Sequence, residues 1–148
     1  MTSDDQIIER ALTILFNRIV SPNVVTSSPA MVKQFLIVKL AQEEREIFGV
    51  LWLNAANAII ACEDLFFGTL TQAYVYPREV VKSALKHNAA GAIYFHNHPS
   101  SLNTQPSEAD KRITEQLKNA LDVVEVRSLD HIIVAGTQTC SFAEKGLM

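Results

Sequence analysis

Between Gly91 and Lys111 the chain reads GAIYFHNHPSSLNTQPSEADK, and no other stretch restricts the fold as closely. Ala92 to Phe95 is a short apolar, β-rich run after a glycine, which predicts a strand. Side chains two apart on a strand share a face, so a strand extended as far as His98 turns the imidazoles of His96 and His98 to one side. Two neutral imidazoles so placed form a natural pair of zinc ligands. A hydrolytic zinc site needs one more protein ligand, often a carboxylate, and keeps its fourth position for water. Asp110, twelve residues past His98, is the nearest carboxylate that the intervening loop can fold back to the pair, apart from Glu108 close beside it.

Ser107 and Asp110 also have a plainer reading. Ser-x-x-Asp after Pro106, ahead of Ile113, Leu117 and Leu121 at helical spacing, is close to a capping box that satisfies free amides at a helix start. The two readings are compatible, with the Ser107 hydroxyl capping while Asp110 points outward.

These residues resemble a known family. His96-Asn97-His98-Pro99-Ser100, followed by Pro106-Ser107-Glu108-Ala109-Asp110, is similar to the JAMM (MPN-plus) metallopeptidase motif in the form found in the RadC family. Arg45-Glu46-Ile47-Phe48, Phe66-Phe67-Gly68-Thr69-Leu70, Tyr76-Pro77-Arg78-Glu79, Asp130-His131-Ile132-Ile133-Val134 and Ser141-Phe142-Ala143-Glu144 agree with it too. The resemblance spans about residues 26 to 148. It implies a zinc-dependent hydrolase of peptide or isopeptide bonds, with one zinc per chain held by His96, His98 and Asp110. It also implies Glu46 as the proton carrier beside the activated water, and Ser107 as donor to the oxyanion. For that role Glu46 must start its strand near the end of the histidine strand, so the two strands run antiparallel or meet at one crevice. The chain departs from the family pattern in one loop. Ser101 stands where the family has glycine, and eight residues separate His98 from Ser107, one more than usual, so a different loop path is expected.

Taken in order, Thr2-Ser3-Asp4-Asp5 followed by Ile7, Ile8, Ala11, Leu12, Leu15, Phe16 and Ile19 predicts a capped amphipathic helix. Its stripe packs on the domain or on a second copy in a homodimer. Residues 21–28 form a Ser/Pro/Thr-rich linker, giving an N-terminal helix and linker over 1–25 and a metal-dependent hydrolase domain over 26–148. Ser28-Pro29 starts a second helix, through about Leu40. Arg45 to Asn54 is apolar on both alternating faces, as in a strand covered on both sides. A turn at Asn54 to Asn57 joins it to a strand from Ala58 to Ala61, or on to Phe66, as a hairpin. Gln72 to Tyr76 resumes a strand pattern, and Pro77 opens a helix ending near His87-Asn88. After the helix that runs from Pro106 to about Asp122, strands are expected at Val123–Arg127, Ile132–Ala135 and Thr139–Phe142. The sum is an α/β fold, a mixed β-sheet flanked by helices, which suits the JAMM/MPN (cytidine deaminase-like) architecture implied by the resemblance.

Composition narrows the partners. The 148 residues suit one domain with a sizeable core, and 48% hydrophobic with 20% charged content is that of a globular protein. A net charge of −3 offers no basic field for a phosphate backbone, so a peptide or protein substrate is expected ahead of nucleic acid. The helix-hairpin-helix region that often precedes this domain is expected to be absent, the N-terminus being short and without glycine hairpins. DNA repair, the role that the RadC name suggests, and a non-catalytic MPN scaffold are the rival readings. Cys62 and Cys140 have no metal-ligand spacing and read as two reduced, packed thiols of a cytoplasmic protein. The N-terminus shows no leader pattern, and no apolar run approaches the ~20 residues of a membrane span. His87 reads as a helix C-terminal cap, His131 beside Asp130 as a structural hydrogen-bonding pair with support of a metal ligand as its second reading, and Trp52 as core.

Overall fold

The computed structural model of the chain describes residues 1–20, 28–68 and 74–148. It opens with two helices, α1 (Ser3–Ile19) and α2 (Pro29–Leu40). Thr2 caps α1 reciprocally with Asp5: its hydroxyl accepts the Asp5 amide at 3.1 Å, and the Asp5 carboxylate accepts the Thr2 amide at 3.0 Å. Ser28 caps α2 through the Met31 amide, with Pro29 at the first helical position. Leu12, Leu15, Phe16 and Ile19 pack with Val32, Phe35 and Leu36, so the α1 stripe lies on the domain itself. The expected linker falls on residues 21–27, outside the described residues.

The chain continues through β1 (Ile47–Leu53), β2 (Ile59–Phe67), α3 (Pro77–Lys86), β3 (Gly91–Asn97), α4 (Glu108–Val123), β4 (Arg127–Ala135) and β5 (Gln138–Ser141). The strands form one sheet in the order β2-β1-β3-β4-β5. β3 and β4 are parallel, with α4 as their crossover, and the other neighbours are antiparallel. This is the mixed α/β architecture expected of the chain. All seven residues of β1 are buried, because one face meets α1 and α2 and the other meets α3 and α4. The hairpin turn closes on Asn54, whose side-chain oxygen accepts the amides of Ala56 and Ala58, while Asn57 takes a φ of 63°.

Two expectations about strands are corrected. Val123 to Val126 is not a strand: α4 runs to Val123, a turn with Glu125 at φ 62° follows, and one continuous strand, β4, spans Arg127–Ala135. The run looks β-like because it holds three valines, but Leu117 and Leu121 pack the helix onto the sheet and carry it as far as Val123. Tyr74 to Tyr76 is outside any strand, and residues 72 and 73 lie outside the described residues.

Gly49 on β1 faces Phe95 on β3, and a Cβ there would overlap the Phe95 ring and come 2.8 Å from the Glu63 carbonyl oxygen. The missing side chain leaves room for the Phe95 ring against β1, on the face of the sheet covered by α1 and α2. Both cysteines are free thiols, Cys140 buried and Cys62 partly so, and burial pushes the Cys62 thiol up to about 12. Among the described residues no helix is long and apolar enough to cross a membrane.

Candidate metal centre

β3 delivers the histidine pair as its alternation requires. His96 lies on the strand, fully buried. His98 follows one residue beyond, where its amide extends the parallel ladder to the Val134 carbonyl at 2.8 Å. The two Nε2 atoms are 3.1 Å apart. α4 brings the carboxylate: Asp110 Oδ1 is 3.3 Å from His96 Nε2, and Oδ2 is 3.6 Å from His98 Nε2. One ligand atom from each residue lies within 4.8 Å of the others, and among the described residues this is the one such group of three. His98 Nδ1 donates to the Asn103 carbonyl at 2.8 Å, so in the neutral ring the Nε2 lone pair faces the centre. Two imidazole nitrogens and a carboxylate so disposed can hold a metal ion.

The capping box is real and coexists with this arrangement. Ser107 Oγ accepts the Asp110 amide at 3.0 Å, and Asp110 Oδ2 accepts the Ser107 amide at 2.9 Å. Asp110 therefore does not point away from the cap, because one carboxylate serves both the helix start and the histidine pair. The Ser107 hydroxyl, used here as an acceptor, keeps its proton for another partner. Glu108, the alternative carboxylate, is exposed and pairs with Lys111 instead.

Glu46 reaches the same place from β1. The antiparallel register sets Phe48 opposite His96, so Glu46, two residues earlier, comes to the end of β1 at which His98 ends its own path. Asn97, whose side chain alternates to the other face from the histidines, fixes that end: its Oδ1 accepts the Ile47 amide at 2.7 Å and its Nδ2 donates to the Arg45 carbonyl at 3.1 Å. The peptide on either side of Glu46 is thereby clamped. A cavity of about 450 Å³ is lined by Glu46, His96, His98, Ser107 and Asp110, with Phe48, Tyr74 and Ile113 among its walls. The longer loop of residues 99–106 lies outside that cavity. Pro99, Ser101 and Leu102 instead line a neighbouring crevice of about 350 Å³ on the side of Leu40 and Val134.

The electrostatics differ among these groups. Burial pushes the Glu46 carboxyl up to about 7; the charge of His98 opposes this and that of Asp110 adds to it. Burial lowers the His96 pKa. The hydrogen bond to Asp110 raises that of His98. Burial works to raise the Asp110 carboxyl, but its hydrogen bonds to His96 and His98 outweigh that and hold it well below the usual range.

The remaining histidines fall differently from the sequence reading. His87 occupies the C-cap position of α3, but only its backbone amide bonds the helix carbonyls; its ring turns to Glu63, with Nε2 2.7 Å from Oε2. His131 is not a side-chain partner of Asp130, whose Oδ1 accepts the His131 backbone amide. The His131 ring turns inward, with Nε2 2.7 Å from His96 Nδ1. Trp52 is core, its Nε1 donating to Ser83 Oγ. Sequence reasoning missed Asn97, Asn103 and Thr114. A buried amide between two histidines, and a threonine four residues after Asp110 on one helix face, were the signals available.

The RadC-like JAB domain family model matches residues 26–147. The chain is 54% identical over 123 residues to a UPF0758 protein of Dechloromonas aromatica, covering 82% of this chain and 54% of the relative. It is 49% identical over 142 residues to the UPF0758 protein YeeS of Escherichia coli K12, covering 96% of this chain and 95% of YeeS. With a UPF0758 protein of Vibrio cholerae it shares 49% over 143 residues, 97% of this chain and 89% of that protein. The chain thus spans about half the length of the Dechloromonas relative and nearly all of YeeS.

Proposed function

The chain belongs to the RadC-like JAB domain family, and from that premise we propose that it is a zinc-dependent hydrolase of the metallopeptidase type, cleaving a peptide or isopeptide bond in a peptide or protein substrate. The observation that carries this reading is the convergence of His96 Nε2, His98 Nε2 and the Asp110 carboxylate beside Glu46 in one cavity. Ligand atoms bound about 2.0–2.1 Å from a tetrahedral zinc lie about 3.3 Å from one another. The 3.1 Å between the two Nε2 atoms and the 3.3 Å from His96 Nε2 to Asp110 Oδ1 are close to that spacing, and His98 Nε2 comes 3.6 Å from the other carboxylate oxygen.

Zinc held there would polarise a substrate carbonyl and bring the pKa of a water to about 7. Glu46, a half-buried carboxylate on the wall of the same cavity, is placed to accept a proton from the attacking water and return it to the leaving amine. Ser107 Oγ–H, free of its capping duty, donates to the oxygen that gains charge as the carbonyl becomes tetrahedral.

Elemental analysis of untagged protein tests the first step. About one zinc per chain is expected in the wild type, and none in His98→Ala. Equal zinc in both, or none in the wild type after zinc is offered, would sink the assignment.

A further inference from the structure

His96 is held from behind by two buried side chains that are not ligands. Its Nδ1 is 2.7 Å from His131 Nε2, and His131 Nδ1 is 2.6 Å from Thr114 Oγ1. Thr114 Oγ1 is also 2.7 Å from the backbone carbonyl oxygen of Asp110. A carbonyl only accepts, so the single hydroxyl proton of Thr114 goes to it. The threonine oxygen then accepts from His131, and His131 Nδ1 carries the proton.

His131 has no exposed surface and lies against the rings of Phe48, Tyr94 and Phe142. The nearby carboxylate of Asp130 faces elsewhere, accepting the amides of His131 and Ala143 and the Ser141 hydroxyl. A charged ring would thus be buried without a counter-ion, and the imidazole is neutral. Its Nε2 therefore accepts, and His96 Nδ1 donates. What is left on His96 is a bare Nε2, the atom turned toward His98 and Asp110.

We propose that His131 and Thr114 are positioning residues: a one-way hydrogen-bond relay from His96 to the Asp110 carbonyl that locks His96 in its Nδ1–H tautomer and ties the ligand on β3 to the ligand on α4. The loop closes through the 3.3 Å contact between Asp110 Oδ1 and His96 Nε2, so the same residue ends the relay and faces its product. The relay rests on the reading of His96, His98 and Asp110 as a metal centre, and partners of this kind are known to set both the orientation and the basicity of a histidine ligand.

Two readouts test it. Nitrogen-15 NMR of the metal-free wild-type chain, with labelled histidine and at a pH where both rings are neutral, should report a protonated Nδ1 and a bare Nε2 for His96 and for His131. A bare Nδ1 on His96 overturns the relay, whatever the metal does. Zinc affinity, measured by competition with a chromophoric chelator, should fall by about ten- to hundredfold in Thr114→Val and stay close to wild type in Thr114→Ser, which keeps the hydroxyl. Equal affinity in the folded valine and serine variants also overturns it. Absence of zinc from the wild type defeats the metal reading alone, since the tautomers still decide the relay. Should Thr114→Val not fold, the wild-type nitrogen spectrum carries the decision.

Discussion

Glu46 sits one residue before β1, half-buried, with a carboxyl that burial pushes from 4.5 up to about 7. Its folded state therefore holds a proton more tightly than its unfolded state. With the metal removed, this group favours folding below about pH 4.5 and progressively loses that contribution as pH rises to about 7. Glu46→Gln abolishes the dependence, so urea midpoints of metal-free protein should show the variant gaining on the wild type between about pH 5 and about pH 8. A constant difference across that range would mean that Glu46 is not desolvated. The same variant should keep its zinc and lose about 10²–10⁴-fold in turnover on a genuine substrate. Ser107→Ala should have two separable effects: a loss of about 10²–10³-fold in kcat under the proposed oxyanion role, and a loss of about 1 kcal/mol in stability from the helix cap. Kinetics and denaturation read them independently. The His-x-His spacing and the family resemblance pointed to His96, His98, Asp110, Glu46 and Ser107, and the fold brings these five to one cavity. Asn97 was not legible in the sequence, because its place between two histidines makes it look like a spacer.

At the scale of elements, the site depends on how β1 is held against β3. Asn97 supplies two hydrogen bonds where the strands' own pairing ends, on both sides of Glu46. Asn97→Ala should leave the buried Ile47 amide unsatisfied, destabilise by about 1–3 kcal/mol, and lower turnover while zinc content stays unchanged. Zinc lost together with activity would show instead that the residue supports the whole β3 end. Gly49→Ala forces the Phe95 ring or the β2 backbone to move, and overpacking of this kind costs about 1–3 kcal/mol, measurable as a lower urea midpoint. The end of α4 illustrates where pattern reading stops. Val123, Val124 and Val126 have strand-like side chains, yet helix packing at Leu117 and Leu121 and the positive φ of Glu125 decide the boundary.

For the molecule as a whole, the sheet separates two apolar layers, α1 and α2 on one side and α3 and α4 on the other, and the candidate centre lies where β1, β3 and α4 meet at one end. A metal held there would join β3 to α4 and bind the folded state alone, so its removal should reduce stability by mass action. A chelator should lower the Tm of zinc-loaded wild type and leave that of His98→Ala unmoved. An unchanged wild-type Tm would mean that the ion adds nothing to the joint between strand and helix.

The sequence by itself determined the local facts: the capped starts of α1, α2 and α4, the hairpin at Asn54 to Asn57, and the shared face of His96 and His98. Each follows from interactions between residues a few positions apart, through caps, turn chemistry and strand alternation. Only the tertiary structure decided that Asp110 serves both the cap and the histidine pair, that Asn97 clamps the peptide around Glu46, and that the His131 ring faces His96 rather than Asp130. Those contacts join residues on different strands and helices, and which partner a buried polar group meets is fixed by sheet order and packing, which have no signature in the spacing of a single segment.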